Sequence, residues 1–242
     1  DETASLVRTL VDAGIDFIKD DELQANGPDC PFDDRLDAVM RVINSHADKT
    51  GKKILYAVNI TDEIDQMWRN LDKMESVGAT CAMVCVQSVG LTGLRAVRDR
   101  SGVLIHGHRA GWGLLSRSPD IGIDFAVMQN LLRLAGADHL HVSGLANKFT
   151  ESDATVAKAA KSVQQPLFGN GGPAYLAMPV YSSSQTIWQF APTRKLLGND
   201  DFIYCAGGGI MSHPGGPADG VTSLRAVSYT HLEPTRHAVI SY

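Results

Sequence analysis

The sequence predicts an α/β chain built as a truncated (β/α)8 TIM barrel. Short β-branched runs alternate with longer amphipathic stretches along the chain. Polar residues and glycines gather at the C-terminal end of successive predicted strands instead of at a single crossover point. With 242 residues, 44% of them hydrophobic, the chain is long enough to bury one large core.

The elements follow in order. A helical pattern over Ala4–Ala13 opens the chain with no strand before it, so the first strand of the barrel is expected to be missing. Seven strand candidates then appear: Ile15–Lys19, Ile54–Ile60, Cys81–Gln87, Val103–His106, His139–Val142, Met178–Tyr181 and Phe202–Ala206. Between them, Arg35–Ala47, Glu63–Val77, Leu91–Asp99, Phe125–Ala135 and Ala154–Ser162 repeat apolar residues at three- and four-residue spacing, which gives each helix one face to bury. Serial β-α alternation implies right-handed crossovers and a parallel sheet. A doubly wound sheet and a closed barrel both satisfy it. The barrel is favoured because Lys19 to Glu22, Asn59, Gln87, His106 and His108, His141 and Ser143, Ser182 to Ser184 and Gly207 to Gly209 each follow a different strand. Toward the other end, the helical start Gly220–Arg225 runs into Ser228–Pro234, which carries β-branched residues, a proline and no helical period. Residues 1–225 are therefore expected to form the barrel domain. Residues 226–242, Ala226 to Tyr242, read as a foreign or frame-shifted tail in which the last helix is lost or replaced.

A net charge of −5, from 22 basic and 27 acidic residues, provides no broad basic surface for nucleic acid or an anionic membrane. No run of about 18 apolar residues is present, and Asp1, Glu2 and Thr3 do not begin a signal or transit peptide. A soluble, cytoplasmic protein is expected. Cys30, Cys81, Cys85 and Cys205 lack zinc-ligand spacing and read as reduced thiols, mostly of the core.

Three groups of residues can carry chemistry. Lys19 and Asp21 sit two apart at the end of an extended segment and so can share a side, with Glu22 just beyond. Two carboxylates suit the hard cation Mg²⁺. An ammonium cannot be a ligand, but a neutral lysine that captures CO₂ becomes a carbamate with anionic oxygens. A short charge run is also what a solvated loop looks like. Second, His106 with His108 and His139 with His141 are i, i+2 pairs, each on one strand face, and Arg109 follows the first pair. Satisfied core histidines and a zinc site are both open readings. Third, Gly207 to Gly209 after the last strand can bring backbone N–H groups close to an anion, and Ser182 to Ser184 can add hydroxyl donors beside them.

With these residues in hand, the chain resembles the large chain of RuBisCO, and within it the non-carboxylating form IV, or RuBisCO-like, proteins. The resemblance runs from about Leu6 to Arg225. It rests on Asp16 to Glu22, His106 to Arg109, Asp138 to His141, Ser143 with Gly144, Lys148, Ser182, Gly207 to Gly209, and His213 with Pro214, in that order and spacing. It implies that Lys19 is carbamylated by CO₂ and, with Asp21 and Glu22, holds Mg²⁺. It also implies that His108 lies near the reacting carbons, and that Arg109, His141 and Ser182 form one phosphate pocket. Gly207 and Gly208 match the opposite phosphate pocket, next to which Ser184 stands. Lys148 matches the lysine of a loop that closes over substrate. Relatives are homodimers that borrow active-site residues from a partner's N-terminal domain.

The chain departs from the carboxylase pattern at several places. Trp112 replaces a histidine, Val84 and Cys85 replace a His-Asp pair, Ser184 replaces a glycine, and the loop from Ser143 to Lys148 is one residue shorter. These changes argue against ordinary CO₂ fixation. The resemblance is greatest to decarboxylases of 3-oxo sugar-acid phosphates, enzymes that would stabilise an enediolate or enolate with Mg²⁺. Alternatives are a methylthio-sugar-phosphate enolase or isomerase, a true ribulose-bisphosphate carboxylase, and a non-catalytic sugar-phosphate binding protein.

Overall fold

The structure is a computed structural model that describes residues 2–118, 120–149, 151–169 and 171–230. All seven strand candidates form strands: β1 Phe17–Lys19, β2 Leu55–Asn59, β3 Cys81–Cys85, β4 Leu104–His108, β5 His139–Ser143, β6 Met178–Tyr181 and β7 Ile203–Tyr204. They pair in parallel in chain order, β1 to β7, as a sheet that curls into a nearly closed barrel. Around it lie α1 Glu2–Asp12, α2 Phe32–Thr50, α3 Ile64–Ser76, α4 Val86–Arg100, the single turn α5 Gly113–Ser116, α6 Phe125–Ala135, α7 Asp153–Val163 and α8 Ile187–Leu197, followed by α9 Gly207–Met211 and α10 Pro217–Thr230.

The two-residue period of a strand sorts side chains into two layers. Tyr56, Val58, Ala82, Val84, Ile105 and Leu140 point outward into the main core, where Leu36, Val39, Ile43, Leu71, Met74, Leu94 and Leu132 of the helices cover them. The alternate residues point into the barrel. There Ala57, Cys81 and Met83 pack with Phe17 and Leu55 as a small apolar floor. The Phe17 ring lies 5.3 Å from that of His106 and 6.4 Å from that of His139, so the histidine layer begins directly beside this floor. Register carries the pattern across the sheet: Lys19 pairs with Ala57, Ala57 with Cys81, and His106 with His139.

Among the described residues β1 and β7 do not pair with each other. The two ends of the sheet are joined from outside, where Arg225 of α10 donates to the Gly14 carbonyl at 2.7 Å and to Asp16 Oδ2 at 2.6 Å. Several boundaries differ from expectation by a few residues, and two of them matter for the site and the end of the barrel. Strand β3 stops at Cys85, whose amide donates to Thr61 Oγ1, so Gln87 lies in the first turn of α4 and not on a strand; α4 itself kinks at Gly90, where φ is 68°. Helix α10 runs on through Ala226 to Thr230, because Ser228 Oγ bonds back to the Arg225 carbonyl and the Arg225 guanidinium packs over the Tyr229 ring at 5.2 Å. The rest of the expected tail, residues 231–242, lies outside the described residues. No helix among the described residues is long and apolar enough to cross a membrane.

Candidate active site

The acidic run ends β1 at the mouth of the barrel, and its four residues divide their work. Lys19 Nζ donates to the Asp20 carbonyl at 2.8 Å and lies 3.8 Å from Glu22 Oε2. Glu22 is also 3.5 Å from His108 Nε2. Asp21 is exposed, and its Oδ1 accepts the Leu23 amide at 2.9 Å, so it stands at the rim beside this group. Asn59 Nδ2 holds the backbone of the turn by donating to the carbonyls of Asp21 and Glu22, both at 3.2 Å. Oxygen donors from two carboxylates beside a lysine are the right type for Mg²⁺ if the lysine supplies the third anionic oxygen. Among the described residues no group of three or more His, Cys, Asp or Glu is arranged to hold a metal ion, which leaves the zinc reading of the histidines without a site.

Those histidines bond to one another. His106 Nε2 and His141 Nε2 are 2.7 Å apart, His106 Nδ1 and His139 Nδ1 are 3.4 Å apart, and His141 Nδ1 is 3.0 Å from Ser182 Oγ. The His108 ring lies 4.3 Å from the His141 ring. All four are buried. Burial pushes His106 and His141 well below the ordinary imidazole value, helped by neighbouring histidines and Lys19, and it lowers His139 as well. His108 falls to about 4, by burial first and then by Lys19. Its tautomer is fixed locally: Nδ1 accepts the Ala110 amide at 3.1 Å, so the neutral ring carries its proton on Nε2, toward Glu22.

Arg109 continues from β4 and lies over the Phe125 ring at 4.6 Å. Its guanidinium forms an ion pair with Glu151 at 2.8 Å. Burial lowers its basicity and Glu151 partly restores it. Glu151 belongs to the segment between β5 and α7 that also carries Lys148. Asn147 braces that segment by donating to the carbonyls of Gly144 and Glu151. Lys148 is exposed, with its ammonium over the Phe149 ring at 5.4 Å, and is not drawn into the Lys19 group.

Strained backbone occurs at the serine that ends β5 and at two of the serines that follow β6. Ser143, Ser183 and Ser184 have φ of 74°, 71° and 63°, a left-handed conformation that non-glycine residues seldom take outside functional turns. Ser184 lines a recess of ≈ 460 Å³ together with Trp188, Gly208, Gly209, Ser212 and His213. The three glycines are not equivalent. Added Cβ atoms at Gly207 and Gly208 would meet open space, whereas one at Gly209 would lie 2.9 Å from the Gln185 carbonyl oxygen. Gly207 and Gly208 start the short α9 instead of forming an extended loop, and only Gly209 is required by packing.

The model of the ribulose bisphosphate carboxylase large chain, catalytic domain, matches residues 1–236. The chain belongs to this family. RuBisCO-like proteins are among its relatives. A 3-oxo-isoapionate-4-phosphate transcarboxylase/hydrolase of Xanthobacter autotrophicus is 53% identical over 89% of this chain and 52% of its own length. A 3-oxo-isoapionate-4-phosphate decarboxylase of Rhizobium rhizogenes is 41% identical over 93% of this chain and 53% of its own. The crystal structure of a rubisco-like protein from Burkholderia fungorum superimposes with a TM-score of 0.91 at 38% identity, covering 96% of this chain and 57% of that one. The chain thus spans about half the length of the curated relatives it matches.

Sequence reasoning missed the scaffold around the RuBisCO-like site. Asp20 faces away from the mouth and accepts from Arg35 Nε at 3.2 Å, Tyr56 OH at 2.5 Å and the Asn59 amide at 2.9 Å. Burial pulls Arg35 down, but Asp20 and Tyr56 more than offset it; burial raises Asp20, opposed by the Arg35 charge and the three converging donors. A signal was present: Arg35 falls on the apolar stripe of α2 between Phe32, Leu36 and Val39, where an unpaired charge has no place. Glu151 left no comparable mark, since its partner Arg109 is distant in sequence. Where carboxylases keep polar groups, Trp112 packs on Phe125 at 5.0 Å and Val84 and Cys85 are buried.

Proposed function

We propose that this chain is the catalytic barrel of a Mg²⁺-dependent RuBisCO-like enzyme that stabilises an enediolate or enolate of a phosphorylated sugar-derived substrate, and that its reaction is decarboxylation of a 3-oxo sugar-acid phosphate. The observation that carries this reading is the placement of Lys19, Glu22 and His108 within 4 Å contacts at the barrel mouth, one strand step above a buried histidine layer. The names of the Xanthobacter and Rhizobium relatives supply the substrate class.

Lys19, as a carbamate formed with CO₂, would hold Mg²⁺ together with Asp21 and Glu22. The ion, when bound, supplies Lewis-acid stabilisation of negative charge on substrate oxygens. The chain's own residues do the rest. His108, neutral at pH 7 with its proton on Nε2, is a hydrogen-bond donor toward the reacting atoms. Arg109 and Ser182 bind one phosphate, which displaces Glu151 from Arg109, and His141 takes part in that pocket through its bond to Ser182 Oγ. Gly207, Gly208 and Ser184 line the opposite anion site. Lys148 enters when its loop closes, excluding water. Buried Trp112 and Cys85 offer no group to activate a second CO₂, and Val84 turns outward into the core. The active form is a homodimer of the longer protein.

Calorimetry of Mg²⁺ binding with and without bicarbonate tests the metal site: bicarbonate should strengthen binding, and Lys19→Ala should abolish that dependence. Unchanged affinity in the variant would remove Lys19 from the ligand set. The reaction is tested by CO₂ release from 3-oxo-isoapionate 4-phosphate, with no ¹⁴CO₂ fixation on ribulose bisphosphate. The 53% identity to the Xanthobacter relative favours a second reading, in which the same cleavage ends in hydrolysis or carboxyl transfer. Incorporation of ¹⁸O from water into an acid product would select it.

A further inference from the structure

Ser182, His141, His106 and His139 form an unbroken line of facing polar atoms, Oγ to Nδ1 at 3.0 Å, Nε2 to Nε2 at 2.7 Å and Nδ1 to Nδ1 at 3.4 Å. The line runs from a serine after β6, across β5 and β4, to the start of β5. A neutral imidazole has one N–H and one lone pair, and two facing ring nitrogens bond only if one donates and the other accepts. The four groups therefore have two fully bonded arrangements. In one, His139 Nδ1–H donates to His106, His106 Nε2–H donates to His141, and His141 Nδ1–H donates to Ser182, whose own hydroxyl proton is then free to point into the site. In the other every bond is reversed, and Ser182 spends its proton on His141 and shows lone pairs to the site.

We propose that these residues act as one polarity-switched chain, and that His106, which touches no substrate, is the positioning residue that makes Ser182 a hydroxyl donor to a bound phosphate. The proposal rests on the reading of Ser182 as a phosphate ligand. Phosphate accepts hydrogen bonds and repels lone pairs, so the anion selects the first arrangement. Passing from the second arrangement to the first moves one proton along each link, takes one up from water at the Ser182 end and releases one from His139 Nε2, with no change in charge. Burial, the largest cause at each ring, keeps the rings neutral, which the chain requires. His106 is fully enclosed, with both nitrogens committed to other histidines, so it has no route to substrate except through His141.

The ¹⁵N imidazole shifts of the ¹⁵N-histidine-labelled protein, titrated with inorganic phosphate, read the arrangement directly. With phosphate bound, His141 should be protonated on Nδ1, His106 on Nε2 and His139 on Nδ1. A phosphate complex with His106 protonated on Nδ1, or with any of the three doubly protonated, overturns the proposal. Ser182→Ala and His106→Phe should each weaken phosphate about tenfold, the scale of a lost hydrogen bond to a charged group, and the double variant should be no weaker than Ser182→Ala alone. Additive losses would mean a merely structural role for His106. If Ser182→Ala leaves phosphate affinity unchanged, the phosphate reading fails and the chain's role with it. If only His106→Phe is silent, the chain alone fails.

Discussion

Replacing Asp20 by alanine isolates how the candidate metal-binding turn is held. The Arg35 side chain is 0% exposed and that of Asp20 5%, so the variant leaves a guanidinium sealed in the fold without its counter-ion. Removing one partner of such a pair destabilises by ~3–5 kcal/mol. Two carbonyls, of Cys30 at 3.1 Å and Ala25 at 2.8 Å, still accept from Arg35, which places the expected loss near ~3 kcal/mol, within the ~5–15 kcal/mol of a stable domain. Tyr56 OH and the Asn59 amide lose their acceptor too, so the backbone that presents Lys19 and Asp21 loosens with them. Urea denaturation followed by circular dichroism measures the loss. Adding Arg35→Met should recover most of it, because an apolar pair of similar volume removes the stranded charge. A single-variant loss below ~1 kcal/mol, or a double variant no more stable than Asp20→Ala, would refute the view that this pair anchors the turn.

Ser184→Gly should raise stability by ~1 kcal/mol, the left-handed strain at φ 63° less the added chain entropy of glycine, seen as a higher Tm; a lower Tm would show that the hydroxyl matters more than the strain. Glu151→Gln should tighten inorganic phosphate, since a competing carboxylate leaves Arg109, whereas Arg109→Ala should weaken a phosphorylated ligand by ~1.5–3 kcal/mol and its dephosphorylated analogue much less; calorimetry separates these. Acid should unfold the protein early. His106, His139 and His141 are held below the ordinary imidazole value by burial, and His108 to about 4. The unfolded chain takes up their protons near ~6.5. Their contribution is thus fully present above that pH and is lost as the pH falls toward 4; a urea midpoint constant from pH 7.5 to 5 would contradict this.

Element order and the site's residue types were legible because both follow from short-range pattern. The i, i+2 spacing of His106 with His108 and of His139 with His141 requires that each pair share a strand face, and the barrel then brings the two strands side by side. What sequence did not disclose depends on contacts between distant segments: Asp20 to Arg35 and Tyr56, Arg109 to Glu151, and the Cβ clash that reserves position 144 for glycine. A Cβ there would stand 2.3 Å from the Ser182 carbonyl oxygen and 2.2 Å from Gln185 Nε2. Helix α10 extends beyond the helical start Gly220–Arg225 because Tyr229, a poor helix former taken alone, packs on Arg225 one turn earlier.

Strand β1 has a neighbour only on the β2 side among the described residues, which makes the strand bearing Lys19 the margin of the sheet. Three residues paired on one side are a weak ladder. The dense side-chain bonding of Asp20 and the grip of Arg225 on Gly14 and Asp16 do for this strand what a second ladder does for an inner one. Ligand geometry at Lys19 is consequently tied to the occupancy of that margin: a strand laid along it would give the free amides and carbonyls of β1 partners and stiffen the ligand-bearing turn. Amide exchange at Phe17 and Lys19, slowed by such a strand and unaffected at Val58 in the next ladder, would report it.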